Sequence, residues 1–303
     1  MRIWPLIALG VFAGTFGGIS ARLFSGGSLS WPGLTTEQTT KWQEEPPPQP
    51  PSRDEIAHFV PDQRAELIRA NGDPITVEYS SVILDPRWID LEFFGGWNRE
   101  FEANDDPEAL LFFTGPTFEK QFGRGEFDMA LHGDLMLSNG TWRAGNRAAA
   151  MGRAYIAVSE EGNLEFGYGD LTPSREERFR LFIGGLHAFS HRDKIPPSSY
   201  RGVYGEMRLA DVRIIYALRS DGALELIETA DGVHFNDLKL LVEQRNFEAA
   251  FLPDHASKSR LIVPGIRPWS EEQAVWVSGG KPSITQLPFM LRVLARDALP
   301  RAR

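Results

Sequence analysis

Between Asp254 and Arg260 the chain gathers an acid, an imidazole, two hydroxyls and two cations: Asp254, His255, Ser257, Lys258, Ser259 and Arg260. They follow directly on the apolar run Ala249 to Leu252, which reads as a buried strand. A polar cluster at the end of such a strand stands at a sheet edge, where ligands commonly bind. Asp254 has the chemistry of an acid or base there, and Ser259, Lys258 and Arg260 that of a grip on an anion such as a phosphodiester. The same composition also describes an ordinary solvated turn.

Other groupings offer chemistry beside an equally simple packing role. Glu206, Arg208, Asp211 and Arg213 alternate charge along a strand-like segment. Arg208 or Arg213 can hold a phosphate through two parallel hydrogen bonds, or the four groups can neutralise one another on a half-buried face. His132 and Asp134 are two apart, which suits one face of a strand. His187 and His191 are four apart, the spacing with which a helix offers two imidazoles to one metal. Gly184 and Gly185 before them and Pro196 and Pro197 after them argue against that helix. Trp88, Trp97 and Trp142 can stack on sugar faces or fill a core. The sequence has no phosphate-binding glycine loop, nucleophile elbow or metalloprotease helix, and no cofactor or metal is expected.

The elements that must position these groups are mostly strands. Ile75 to Leu84, Trp88 to Phe94 and Leu110 to Phe113 alternate or run apolar. Ala154 to Ser159 and Leu164 to Tyr168 flank Glu161-Gly162-Asn163, and Val212 to Leu218 and Ala223 to Glu228 flank Ser220-Asp221-Gly222, so two hairpins are expected. Phe235, Leu238, Leu241 and Val242 share one helical face. Pro61 to Ala70, with proline early and Asn71-Gly72 behind it, predicts a short helix. Leu291 to Arg303, with Arg292, Arg296, Arg301 and Arg303 against Asp297, predicts a solvated end that can touch lipid headgroups. The fold class is α+β: a single strand-rich domain from 54 to 303 with mixed or antiparallel sheet and few helices.

Composition narrows the function further. The 303 residues include no cysteine, which excludes a disulfide framework, a zinc finger, an iron–sulfur site and a thiol nucleophile. The net charge of -9 argues against nucleic acid as a partner. Residues 1–24 carry Arg2, an apolar stretch from Ile3 to Ile19 and then Arg22, the pattern of a membrane anchor or a signal peptide. Gly10, Gly14 and Gly18 fall on one face of that segment, where helices pack closely in lipid. Residues 25–53 are rich in Gly, Ser, Thr and Pro, and read as an extended stalk. Membrane attachment through residues 1–24 and an extracytoplasmic domain, periplasmic or at the cell surface, are therefore expected.

The order of motifs resembles the phosphodiester glycosidase domain family, of the N-acetylglucosamine-1-phosphodiester alpha-N-acetylglucosaminidase type. Phe113-Thr114-Gly115-Pro116-Thr117-Phe118 stands where the family ends a strand in Asn-Ala-Gly-x-Phe. Gly133-Asp134-Leu135 through Asn139-Gly140, then Gly184-Gly185-Leu186-His187 through Asp193-Lys194, follow in the family's order. Arg213 before Asp221-Gly222 resembles the family's arginine ahead of a turn. Leu252-Pro253-Asp254-His255-Ala256-Ser257-Lys258-Ser259 resembles its Leu-Asp-Gly-Gly-Gly-Ser-Ser. The resemblance spans residues 75 to 264. It implies a hydrolase cleaving sugar–phosphodiester linkages in envelope or extracellular glycans, with Asp254, Arg213 and Ser259 catalytic. Thr114, Asp134, His255, Lys258 and Arg260 would bind the phosphate-linked carbohydrate. Thr114 replaces the family's asparagine, and His255 and Ala256 replace glycines. These changes motivate an alternative, a non-catalytic envelope protein that keeps the domain to bind a glycan or a protein.

Overall fold

The computed structural model describes residues 50–121, 128–201, 213–253, 259–278, 281–284 and 286–297. All belong to the second of the two units into which the chain divides, Met1–Pro46 and Pro47–Arg303. The expected anchor, and the stalk up to residue 49, lie outside the described residues. Among the described residues no helix is long and apolar enough to cross a membrane.

A one-turn helix, α1 (Arg53–Ile56), is closed by a reciprocal cap: Ser52 Oγ accepts from the Glu55 amide, and the Glu55 carboxylate accepts from the Ser52 amide at 2.8 Å. The hairpin of β1 (Ala57–Ile68) and β2 (Pro74–Leu84) follows, and it corrects the helix expected over Pro61 to Ala70. Pro61 sits at a bulge between the pairs Val60↔Ser81 and Gln63↔Tyr79, with Asp62 at φ 49°. Proline is tolerated where a ladder is already interrupted. Asn71 and Gly72 form the hairpin turn instead of a helix stop, and Gly72, at φ 89°, donates to the Arg69 carbonyl. Ala65 and Leu67 are buried while Arg64, Glu66 and Ile68 are exposed or nearly so, the period of a strand.

Then come β3 (Ile89–Gly95), α2 (Glu100–Asn104), β4 (Ala109–Phe113), β5 (Phe118–Lys120), β6 (Met129–Leu131), β7 (Leu135–Leu137), β8 (Gly140–Trp142) and α3 (Arg147–Ala150). The first expected hairpin is β9 (Ala154–Ser159) with β10 (Leu164–Tyr168), and α4 (Pro173–Glu176) leads into the long β11 (Phe179–His191). The second is β12 (Ile214–Leu218) with β13 (Leu224–Thr229), turning at Gly222. Helix α5 (Phe235–Arg245) and β14 (Ala249–Leu252) stand where the pattern predicts them. After them lie β15 (Leu261–Ile262), α6 (Glu271–Ala274), β16 (Val275–Ser278), β17 (Lys281–Ile284) and β18 (Phe289–Ala295).

The domain is dominated by sheet, and every ladder among the described strands is antiparallel. The larger sheet runs β1-β2-β13-β12-β14-β11-β7-β8, with β9 and β10 joined through β11, and a smaller one runs β15-β4-β18-β3. Alternation gives the larger sheet two apolar faces. Ile214, Tyr216, Leu226 and Phe251 share a core with Leu111, Phe113 and Leu291 of the smaller sheet. Ile215, Ala217, Ile227 and Leu252 face Leu238, Leu241 and Val242 of α5. Each fully buried side chain of this size contributes about 1.5–3 kcal/mol.

The C-terminal segment is corrected as far as Ala295. β18 is an inner strand between β3 and β4, because Leu291 and Val293 enter the core. Arg292, read as a solvated cation, is held by Asp106 at 2.8 and 2.9 Å and by Glu92 at 2.9 Å. Residues 298–303 lie outside the described residues.

Before β7, the backbone at Gly133 crosses that of β11 at Gly184 and Gly185. A Cβ on Gly133 would stand 2.2 Å from Gly185 N and 2.3 Å from Gly184 C, and backbone atoms cannot move aside as a flexible side chain would. Gly133→Ala is therefore expected to cost at least the roughly 1–3 kcal/mol of an overpacked site. The check is the urea midpoint of unfolding, and a midpoint equal to that of the parent would show that the crossing can open.

Candidate functional site

Antiparallel pairing gathers several strand ends at one place. The register Leu218↔Ala249, Ala217↔Ala250, Tyr216↔Phe251 sets the start of β12 and the end of β14 at the same end of the sheet. Arg213 immediately precedes β12. On the other side of β14, His187 of β11 pairs with Leu252. The last residues of β14 thus run out between Arg213 and His187.

The smaller sheet contributes the segment that leaves β4. Tyr216 donates its hydroxyl to the Thr114 carbonyl, and Thr117 Oγ1 donates to the Pro253 carbonyl at 2.9 Å. The polar groups assembled here are deeply buried: Arg213 and His187 are each 1% exposed and Arg153 is 2% exposed. Arg153 Nη1 stands 2.8 Å from Nδ1 and 3.2 Å from Nε2 of His187, while its Nε donates to the Ala149 carbonyl. A guanidinium has only donors, so the ring nitrogen it meets must present a lone pair. Thr117 Oγ1 lies 3.4 Å from His187 Nε2, which completes a polar chain from β4 through β11 to the end of β14. Arg213 is fixed by its backbone: its amide donates to Thr229 Oγ1 at 3.2 Å, and its carbonyl accepts from the Thr229 amide at 3.0 Å. Guanidinium groups carried on so rigid a backbone suit the binding of a phosphate or carboxylate in fixed orientation.

The residues anticipated from sequence are distributed unevenly around this point. Thr114 is there, but its Oγ1 accepts from the Arg260 amide at 2.7 Å and its amide donates to the Arg260 carbonyl, so it ties β4 to the approach of β15. Ser259, next in the chain, is half-buried. Arg260 turns its guanidinium inward: Nε meets Glu100 Oε1 at 3.1 Å, Nη1 donates to the Ser259 carbonyl, and the group lies over the Trp269 ring. Burial lowers its pKa and Glu100 opposes that shift. Asp134 is buried and accepts from the Ala144 amide at 2.8 Å and Arg147 Nη1 at 2.6 Å, bracing α3. Asp254, His255, Ser257 and Lys258 lie outside the described residues, as does the whole charged stretch from Glu206 to Asp211.

The histidine pairs do not converge. His132 Nε2 faces Glu119 at 3.3 Å, away from the partners of Asp134. His191 has the Phe166 carbonyl on Nε2 and accepts from the Lys194 amide on Nδ1, so among the described residues its bonds are separate from those of His187. Trp142 stacks on Phe93 at 4.8 Å and Trp97 meets the edge of Phe118, both packing roles.

Sequence reasoning does not reach Thr117, Arg153 or Tyr216. Thr117 carried a faint signal as the second hydroxyl in Thr114-Gly115-Pro116-Thr117. Arg153 carried none, since a lone arginine between a glycine and a strand reads as solvated.

No protein-family model matches the chain, and no curated protein matches it significantly. Among solved structures the fold is similar to the catalytic domain of zebrafish N-acetylglucosamine-1-phosphodiester alpha-N-acetylglucosaminidase, auto-inhibited by its pro-peptide. That likeness has a TM-score of 0.53 at 12% identity and covers 82% of this chain and 86% of that one. A hypothetical protein from Synechocystis is similar at a TM-score of 0.43 and 11% identity, over 80% of this chain and 62% of that chain. The zebrafish comparison establishes a distant relationship of fold.

Proposed function

We propose that the chain is a hydrolase of the phosphodiester glycosidase kind, acting on a sugar whose anomeric carbon is joined to a phosphodiester. The observation that supports it most is the convergence at the end of β14, with Arg213 on one side and His187 on the other, in a fold similar to that of the zebrafish glycosidase. The reaction breaks the bond between the anomeric carbon and the phosphate oxygen. Water supplies the new anomeric hydroxyl, its second proton goes to solvent, and a phosphomonoester leaves. The transition state is oxocarbenium-like, with positive charge on the ring and negative charge growing on phosphate. Phosphate leaves readily without a proton, so a guanidinium held against its oxygens lowers the barrier more than an acid would.

In this reading Arg213 holds the phosphate, and Asp254, two residues beyond β14, faces the ring carbon or aligns the water. Ser259 completes the catalytic set, while His255 and Lys258 contact the substrate. The substrate is a phosphate-linked carbohydrate of an envelope or extracellular glycan, met outside the cytoplasm by a domain tethered through residues 1–24. One observation favours the second reading, a binding domain without turnover: the Thr114 hydroxyl and the Arg260 guanidinium are already engaged, with the Arg260 amide and with Glu100.

The test incubates the purified full chain with sugar 1-phosphodiesters and follows free reducing sugar. Release is expected, and Asp254→Asn is expected to abolish it while the protein stays folded. Binding of the same compounds without any release would replace the hydrolase by the binding domain. Unchanged turnover in Asp254→Asn would remove that carboxylate from the mechanism.

A further inference from the structure

β14 ends at Leu252, and with it the ladder that secures the backbone on either side. Pro253, the next residue, has no amide hydrogen, so its carbonyl is the one hydrogen-bonding group it offers. Thr117 Oγ1 donates to that carbonyl at 2.9 Å. The proline ring fixes φ, and the hydroxyl fixes the direction of the carbonyl and hence ψ. Together they set the direction in which the chain leaves β14.

That hydroxyl is itself the end of a directed row. The ladder between β9 and β11 pairs Ala154 with Leu186, which sets Arg153 opposite His187 and on the same face. Arg153 Nη1 stands 2.8 Å from Nδ1 of the ring and 3.2 Å from Nε2. A guanidinium only donates, so the nearer nitrogen carries a lone pair and the proton of the neutral imidazole sits on Nε2. Thr117 Oγ1 lies 3.4 Å from Nε2, and with its own proton given to Pro253 it accepts there. The order is guanidinium to imidazole to hydroxyl to carbonyl, with every donor pointing toward the end of β14. A permanent positive charge at the head of the row strengthens the bonds that follow it.

Arg153 and His187 are too deeply buried to touch a substrate, so whatever they do at the site passes through Thr117. Packing alone does not call for such a row, because apolar side chains of similar volume fill a core without desolvating a guanidinium. We infer that Thr117, His187 and Arg153 are positioning residues of the hydrolase: they hold the Pro253 peptide so that Asp254, the next residue, meets the substrate in one orientation. The inference rests on the hydrolase reading and on the part that reading gives to Asp254.

Two variants of the full chain test it. Thr117→Val keeps the shape of the side chain and loses the hydroxyl. Its kcat for release of reducing sugar from a sugar 1-phosphodiester is expected to fall about tenfold to a hundredfold with KM little changed, the mark of lost alignment. Thr117→Ser, which restores the hydroxyl, is expected to restore most of kcat. A folded Thr117→Val with the parent kcat, or a Thr117→Ser as slow as the valine variant, overturns the positioning role and leaves the hydrolase reading standing. The imidazole ¹⁵N spectrum of the parent keeps the test decisive if the variants do not fold. His187 is expected to be neutral with its proton on Nε2, and a proton on Nδ1 instead would reverse the row and overturn the inference. A parent that releases no reducing sugar overturns the hydrolase reading, and the role of these three residues falls with it.

Discussion

Arg213→Gln is expected to lower kcat for sugar phosphodiesters by about 10²–10³ while leaving the fold intact, the scale seen when one oriented donor is removed from a developing negative charge. The backbone contacts that hold Arg213, its amide to the Thr229 hydroxyl and its carbonyl to the Thr229 amide, do not depend on its side chain. Glutamine keeps an amide donor and most of the buried volume but carries no charge. Arg213→Lys is expected to recover only part of the loss, because an ammonium restores the charge without the planar fork that meets two phosphate oxygens at once. The measurement is steady-state release of reducing sugar, with thermal unfolding as the check on fold. A folded Arg213→Gln that turns over at the parent rate would end the assignment of the phosphate to this residue.

Glu100→Ala is expected to destabilise the domain by about 3–5 kcal/mol, a large share of the roughly 5–15 kcal/mol that a domain possesses. The side chains of Glu100 and Arg260 are 4% and 1% exposed and meet at 3.1 Å. Removing the carboxylate leaves a buried guanidinium facing an alanine. Its Nη1 contact with the Ser259 carbonyl supplies no charge, and Glu228, a second carboxylate that acts on it, is itself paired with Arg267. The double variant Glu100→Leu with Arg260→Met is expected to regain most of the loss, since an apolar pair of similar volume avoids the desolvation of both ions. Urea unfolding at a fixed pH checks both. A Glu100→Ala midpoint within error of the parent would mean that water reaches Arg260 and that the pair is not truly interior. The consequence for the site is direct. The amide and carbonyl of Arg260 anchor Thr114, so loss of the pair is expected to loosen the β4 end as well.

Hairpins, the helix α5 and the buried strand β14 were legible because their signals are local. An Asp-Gly turn between two apolar alternating runs, or a 3.6-residue apolar stripe, needs no knowledge of the rest of the chain. Pro61 shows where local reading fails. Its fixed φ suits the first turn of a helix and a bulged strand equally, and the choice was made by pairing with β2, whose partners lie some twenty residues away. Arg292 fails for a related reason: three acids from other strands and loops neutralise it, so an inner strand can carry it.

Composition and order by themselves determined a strand-rich domain that follows an apolar and then proline-rich stretch of sequence, and they picked Arg213 and the end of the Ala249 to Leu252 strand as a place for chemistry. Only the tertiary structure decided which side chains reach that place. Antiparallel pairing brings His187 and Arg213 to either side of β14, turns Arg260 inward to Glu100, and engages Asp134 with α3. The reason is that a residue type fixes what a group can do, whereas its partner is fixed by strand register and burial, which depend on contacts made far along the chain.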